Sequence, residues 1–213
     1  MRGKVFLFDM DGTLIKSHKI VEDIWRRWAI RHRIDREAVL AKAHGRQAIE
    51  TIRLFAPAGI DVDAEAAWVN GRALQETTGI DATEGAHVLL NQLSSHEWAL
   101  VTSAKRLIAE RWLKAAGLPQ PANLIAAEDV SKSKPDPEGY RLGAQRLGCQ
   151  VEDAIVFEDA EAGLEAGRRA GAKVIGVGEA RHLSYLADAW IPDFRQVRIM
   201  RQSDGDFTLR LEF

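Results

Sequence analysis

Short apolar runs alternate with capped helical patterns from Gly85 onward, and this alternation limits the available folds more than any other feature of the chain. Val5–Phe8, 98–102, 154–157 and Lys173–Val177 read as strands buried on both faces, with 124–126 as a candidate fifth. Parallel strands need crossover connections, and the helical patterns between the runs supply them. Ser103 is placed to cap a helix that ends at Gly117, with Pro119 beyond it. Asp136 is placed to cap a second, with Pro137 at its first position and its end near Gly148. Asp159 is placed to cap a third that ends near Gly171. The expected fold class is α/β, a doubly wound, mostly parallel, Rossmann-like sheet.

Residues 17–79 interrupt this rhythm and contain no strand-like run. Ile20, Val21, Ile24, Trp25 and Trp28 recur at helical spacing, as do Ala48, Ile49, Ile52 and Phe55, and residues 64–74 continue the pattern. A helical insertion directly after the first strand is the economical reading. It divides the chain into a discontinuous α/β core, residues 1–16 and 80–213, and an inserted all-helical domain, residues 17–79. A chain of 213 residues accommodates this at roughly 150 residues per domain. Near the end, residues 197–202 and Phe207–Leu211 alternate around Asp204-Gly205 and read as a hairpin.

Charge and composition remove several classes of function. Lys and Arg number 29 against 31 Asp and Glu, so the chain as a whole exerts no pull on nucleic acid or an anionic membrane. The basic stretch Arg26, Arg27, Arg31, His32, Arg33 and Arg36 interleaves with Ile24, Trp25 and Trp28, and reads as the solvated face of an amphipathic helix. No run approaches the ~18 apolar residues of a membrane span. After the basic start, Val5–Phe8 is shorter than the ~7–15 apolar residues of a secretory segment. The one cysteine, Cys149, permits no internal disulfide and fits a reducing compartment. The expectation is a cytoplasmic monomer with neither nucleic acid nor membrane as partner.

The polar residues that follow the strands carry the chemistry. Asp9 and Asp11 stand at the carboxyl end of the first strand, where open α/β sheets bind ligands, and Gly12 permits a sharp turn. Thr102 and Ser103 end the second strand beside a helix start, offering hydroxyls and N–H groups to an anion. Lys134 lies in the loop Ser133-Lys134-Pro135-Asp136-Pro137, and Glu158-Asp159 closes a third strand. Each alone reads as a cap or a solvated charge, but their convergence on one rim of one sheet reads as a site. Carboxylates ~4 Å apart repel by about 4 kcal/mol at an effective dielectric near 20. Lys134 offsets only one charge, so the carboxylates call for a hard divalent cation, most plainly Mg²⁺. Together with a lysine, hydroxyls and a helix N-terminus, such a site suits a phosphoryl group. No serine–histidine or cysteine–histidine signature competes, so a carboxylate is the candidate nucleophile.

Phe8-Asp9-Met10-Asp11-Gly12-Thr13-Leu14, Thr102-Ser103, Lys134-Pro135-Asp136-Pro137 and Phe157-Glu158-Asp159-Ala160-Glu161-Ala162-Gly163 resemble, in order and spacing, the four motifs of the haloacid dehalogenase superfamily. The resemblance spans nearly the whole chain. The helical segment looks like that family's cap domain. Within it, His44-Gly45-Arg46-Gln47-Ala48-Ile49 resembles the cap of bacterial sugar (hexose) phosphatases and their glycerol-phosphate phosphatase relatives. The resemblance implies that Asp9 is the nucleophile and Asp11 the general acid, then base. It implies that the Thr102 hydroxyl and the Ser103 N–H hold phosphate and that Lys134 neutralises Asp9 and phosphate. It implies that Asp9, Asp159 and the carbonyl of Asp11 bind Mg²⁺, with Glu158 nearby. His44, Gly45 and Arg46 become the candidate specificity residues. The implied activity is Mg²⁺-dependent hydrolysis of a small phosphorylated metabolite, a sugar or polyol phosphomonoester, through an aspartyl-phosphate.

Dehalogenases and phosphonoacetaldehyde hydrolases of the superfamily lack the second aspartate, which is present here as Asp11. The enzymatic rival is β-phosphoglucomutase, which carries a proton-transferring histidine in its first cap helix. Aligned from Asp9, that position is Val21, and the nearest histidine, His18, is three residues earlier. A non-enzymatic rival is a phospho-aspartate receiver, a single α/β domain without such an insertion. Two positions depart from the resemblance: Lys16 precedes Ser17 where relatives usually have an acid, and Thr83-Glu84-Gly85 stands where they commonly have Pro-Gly.

Overall fold

Within Val5–Phe8, successive side chains enter two different cores: Val5 and Leu7 one, Phe6 and Phe8 the other. A strand with apolar residues on both faces needs covering on both, and the rest of the chain provides it. The structure is a computed structural model that describes residues 1–203 and 206–212. In chain order it has β1 (Arg2–Gly3), β2 (Val5–Phe8) and β3 (Ile15–Lys16). Four helices follow, α1 (His18–His32), α2 (Arg36–Ala43), α3 (Ala48–Phe55) and α4 (Val62–Gln75), before the chain returns through β4 (Asp81–Ala82). Next come α5 (Ala86–Leu90), β5 (Trp98–Val101), α6 (Arg106–Ala115), β6 (Leu124–Ile125) and α7 (Glu138–Arg146). The chain finishes with β7 (Ala154–Glu158), α8 (Glu161–Ala170), β8 (Lys173–Val177), β9 (Ala189–Ile191), β10 (Val197–Arg201) and β11 (Phe207–Leu211).

The main sheet runs β6-β5-β2-β7-β8-β9, and every neighbouring pair is parallel. One face packs Phe6, Phe8, Leu100 and Phe157 against Leu89 and Leu90 of α5 and Ile108, Trp112 and Leu113 of α6. The other packs Leu7, Val101 and Val156 against Tyr140 and Ala144 of α7 and Leu164 and Ala166 of α8. Each large apolar side chain so buried contributes about 1.5–3 kcal/mol. This is the expected doubly wound α/β fold.

Several local expectations shift. β9 has no counterpart in the sequence reading, because Ala189-Trp190-Ile191 is too short a run to stand out. Ser103 does not cap α6, whose N-cap is Lys105; its hydroxyl is used elsewhere, as described below. Asp159 does not cap α8, whose N-cap is Ala160; the carboxylate under that helix start is Glu158. Pro137, not Asp136, is the N-cap of α7; Asp136, one residue earlier, accepts from Glu138 N at 3.0 Å. β10 and β11 pair antiparallel, and β1 joins them on the other edge of β11. The turn residues Asp204 and Gly205 lie outside the described residues.

Helices α1–α4 enclose a core of their own, with Ile24, Trp25, Trp28, Val39, Ile52 and Val69. Glu65 is buried among them and accepts from Trp28 Nε1 at 3.0 Å, with His32 Nε2 at 2.9 Å and the Arg31 guanidinium at 3.3 Å. Within the basic stretch, Arg26 pairs with Glu22 and Asp23 on its own helix, Arg27 with Glu76 of the α4 end and Arg31 with Glu65. The helical segment enters and leaves through β3 and β4, which pair antiparallel as Ile15 with Ala82 and Lys16 with Asp81. Among the described residues no helix is long and apolar enough to cross a membrane.

Candidate functional site

The register of β2 against β7 places Phe8 beside Phe157, and Asp9 N donates to Phe157 O at 3.0 Å. The next residues on the two strands, Asp9 and Glu158, therefore emerge side by side. The connection leaving β2 leads to β5 and that leaving β7 leads to β8, on opposite sides of the pair. The crevice between their carboxyl ends is the switch point where such sheets bind ligands. Gly12 turns the chain there with φ +81°, and a Cβ on it would sit 2.2 Å from Asp159 Oδ2 and 2.4 Å from the His18 ring. Only glycine fits both the conformation and the space.

Lys134 lies at the centre of the buried charges. Its Nζ donates to Asp9 Oδ1 at 2.5 Å, Glu158 Oε1 at 2.6 Å and Val101 O at 3.1 Å. Burial works against its charge, but Asp9 and Glu158 outweigh burial and raise its pKa above the usual lysine value. Glu158, fully buried, also accepts from Tyr140 OH at 2.8 Å and from the N–H groups of Asp159 and Ala160 at 3.0 and 3.2 Å. Burial and then the Glu158 charge push Asp9 well above the ordinary carboxylate range, with Lys134 opposing. Burial raises Asp11 to about 6 against the lowering bond from Ser17 Oγ at 2.6 Å. A carboxyl in that range can carry a proton near neutrality, as a general acid must.

Asp9, Glu158 and Asp159 each offer an oxygen within 4.8 Å of the others. This buried acidic triad can bind a metal: all-oxygen donors suit a hard divalent cation, and a cation would relieve the repulsion that raises Asp9. The Asp11 carboxylate is not among the three; it faces Ser17. Asp159 is aimed by Thr13 Oγ1 at 3.0 Å and His18 Nε2 at 2.9 Å. The Thr102 hydroxyl accepts from Ala104 N at 3.1 Å, and Ser103 Oγ crosses to the helical segment to donate to Gly45 O at 2.8 Å.

Two spaces meet the carboxylates. A cavity of about 90 Å³ is lined by Asp9, Asp11 and Ser103 from below and Val21, Trp25, His44, Gly45, Arg46 and Asn70 from the helical segment. A wider cleft of about 1080 Å³ reaches Asp159, His18 and the far sides of His44 and Arg46. The His18 and His44 rings meet edge to face at 5.1 Å. Burial, then the His18 charge, lowers the His44 pKa. The Arg46 side chain has no hydrogen-bond or ion-pair partner among the described residues. Of the residues the sequence points to, Asp9, Asp11, Ser103, His44, Gly45 and Arg46 line the small cavity, Asp159 lines the wider cleft, Lys134 and Glu158 lie buried against Asp9, and Thr102 lines a narrow space with Ser103 and Lys134. Three more belong with them. Thr13 lay inside the first motif. His18 lay one helical turn from the position compared with the mutase. Tyr140 gave no local signal, because only the packing of α7 on β2 and β5 brings it to Glu158.

Carboxylates, a bridging lysine and hydroxyl groups at an α/β switch point suit the binding of a phosphoryl group. Residues 4–171 match the haloacid dehalogenase-like hydrolase model, and the chain belongs to that family. It is 39% identical to hexitol phosphatase A of Escherichia coli (strain K12), over 99% of this chain and 100% of the relative. It is 33% identical to glycerol-1-phosphate phosphohydrolase 2 of Saccharomyces cerevisiae, over 85% of this chain and 77% of the relative. In fold it is similar to β-phosphoglucomutase from Clostridium difficile, with a TM-score of 0.70 at 18% identity over 92% and 93% of the two chains.

Proposed function

We propose that this phosphomonoesterase hydrolyses small sugar or polyol phosphates with a divalent cation, most simply Mg²⁺, through an aspartyl-phosphate on Asp9. The observation that carries the reading is Lys134 bridging Asp9 and Glu158 at 2.5 and 2.6 Å in a buried crevice beside the acidic triad. The phosphate is bound by Lys134, the Thr102 hydroxyl and the Ser103 N–H. An Asp9 oxygen attacks phosphorus, the ester P–O bond breaks, and the leaving oxygen takes a proton from Asp11. Asp11 then accepts a proton from water, whose oxygen attacks the aspartyl-phosphate and releases phosphate. Asp9, Asp159 and the Asp11 carbonyl would hold the cation, which when bound supplies positive charge toward the phosphate oxygens. Glu158 contacts the same space, but its oxygens already serve Lys134, Tyr140 and two N–H groups, so its part is to aim Lys134.

Residues 17–79 act as a cap over the core formed by residues 1–16 and 80–213, with β3 and β4 as the crossing strands. The hexitol and glycerol 1-phosphate in the relatives' names support a polyol phosphate as substrate. Val21, an apolar residue lining the small cavity, cannot pass a proton and favours hydrolysis over the mutase reaction. The test is phosphate release across hexose, pentose and polyol phosphates, including β-glucose 1-phosphate. Turnover on one group, lost with a chelator and restored by Mg²⁺, is expected. Glucose 6-phosphate formed without phosphate release would replace hydrolysis by isomerisation.

Arg46 brings a free guanidinium to both spaces beside the carboxylates. Arg46→Ala is expected to raise KM for the preferred sugar or polyol phosphate about tenfold, the scale of one lost charged hydrogen bond. KM for p-nitrophenyl phosphate, which offers no hydroxyls, should move much less. Equal changes for the two substrates would remove Arg46 from specificity.

A further inference from the structure

The loop that carries Lys134 is held by carboxylates from two different parts of the fold. Glu138, in the first turn of α7, accepts from Ser131 N at 2.9 Å, Ser131 Oγ at 2.7 Å and Lys132 N at 3.0 Å. Glu50, in the first turn of α3, accepts from Ser133 N at 3.4 Å and from Ser133 Oγ. Ser133 is buried and immediately precedes Lys134. Two other bonds join the segment 44–50 to the core loops: Gln47 Nε2 to Ala127 O at 3.1 Å and Ser103 Oγ to Gly45 O at 2.8 Å. Both of those are made between neutral groups. Glu50 contributes a charged acceptor, the stronger kind of bond, and it alone of the three reaches the residue next to Lys134.

A carboxylate in a helix's first turn is favoured there by the helix dipole alone. That effect places Glu50 on α3 but does not aim it across to Ser133. The aim matters because Lys134 must meet Asp9 and Glu158 within hydrogen-bond distance. When the helical segment lies on the core, Glu138 holds residues 131 and 132 and Glu50 holds residue 133, directly before Lys134. When the segment lifts away, Ser133 loses the Glu50 carboxylate and keeps only the Lys134 carbonyl at 3.3 Å for its hydroxyl, while Glu138 still holds residues 131 and 132 and Arg169 still donates to Pro135 O at 3.3 Å.

We propose that Glu50 is a positioning residue for hydrolysis: its hold on Ser133 makes the placement of Lys134 depend on closure of the helical segment over the core. The proposal rests on the phosphatase reading of Lys134 given above. Such gating lets an enzyme complete its charged site only once the substrate is enclosed.

Wild type, Glu50→Gln, Glu50→Ala and Ser133→Ala are compared in two ways. The first is kcat and KM on the phosphate ester that wild type turns over fastest. The second is amide hydrogen exchange of residues 131–137 with and without inorganic phosphate. Glu50→Ala is expected to lower kcat about tenfold, with KM moved less than about threefold, and to speed exchange in the loop. Glu50→Gln keeps an acceptor and should recover most of the loss. Ser133→Ala removes one donor without touching the helical segment and should give a smaller drop. Unchanged kcat and exchange in Glu50→Ala would overturn the proposal, as would a Gln variant as impaired as Ala. Should Glu50→Ala fail to fold, Ser133→Ala decides: no fall in kcat and no faster exchange overturns it. If wild type releases phosphate from no ester, the functional reading fails instead. The exchange comparison then still judges whether Glu50 anchors the loop.

Discussion

Asp9→Asn is expected to abolish phosphate release, by at least about 10⁴-fold, while leaving the protein as stable as wild type or more so. The activity loss follows from losing the nucleophile, since an amide oxygen is too weak a base to form the acyl phosphate. The stability expectation follows from the site's charges. Burial and the Glu158 carboxylate both oppose the charged form of Asp9. An uncharged isostere removes that repulsion yet keeps an oxygen for Lys134 to donate to. A residue needed only for packing behaves the other way, losing stability before activity. Steady-state phosphate release and thermal melting, both without added metal and with Mg²⁺, separate the cases. With Mg²⁺ present the wild type should gain stability by binding, and Asp9→Asn should gain less. Substantial turnover in the variant would remove Asp9 from the reaction.

The core strands were readable because a strand buried on both faces leaves a continuous apolar run, as Val5–Phe8 and Lys173–Val177 do. The polar residues at their ends were readable for the same reason: Asp9, Thr102 and Glu158 each terminate such a run. What escaped depended on partners distant in sequence. Thr13 and His18 take the Asp159 oxygens, and the N–H groups of Asp159 and Ala160, just before α8, go to Glu158. Lys16 and Glu84 each looked like an isolated departure from the resemblance. They form an ion pair with one another beside β3 and β4, so the two oddities are one feature. No reading of either position alone reveals it, because the contact exists only once the chain has left the core and returned.

Gly163→Ala is expected to cost about 2–4 kcal/mol of stability and at least a hundredfold in activity, though the residue touches no substrate. On propensity alone the change should help, since alanine in a helix is better than glycine by about 1 kcal/mol. Space decides otherwise. A Cβ on Gly163 would lie 1.7 Å from Glu158 Oε1, 2.0 Å from its Cδ and 2.4 Å from Oε2. The helix cannot simply back away with its neighbours in place, because Gly167 one turn on is pressed to the sheet, with 2.9 Å from its would-be Cβ to Val174 Cγ2. Glu158 must therefore move, and it is fully buried with both oxygens engaged. Displacing it leaves a buried carboxylate without Lys134 and two N–H groups, and strands the Tyr140 hydroxyl. Breaking a buried ion pair costs about 3–5 kcal/mol, which outweighs the helix gain. For a chain of 213 residues, about 2–4 kcal/mol corresponds to a fall in Tm of roughly 5–15 °C. Melting curves and phosphate release on the same preparation test both halves. A variant that melts at or above wild type and keeps its activity would mean that Glu158 has room to move, and that the hold of Glu158 on Lys134 is not what the reaction depends on.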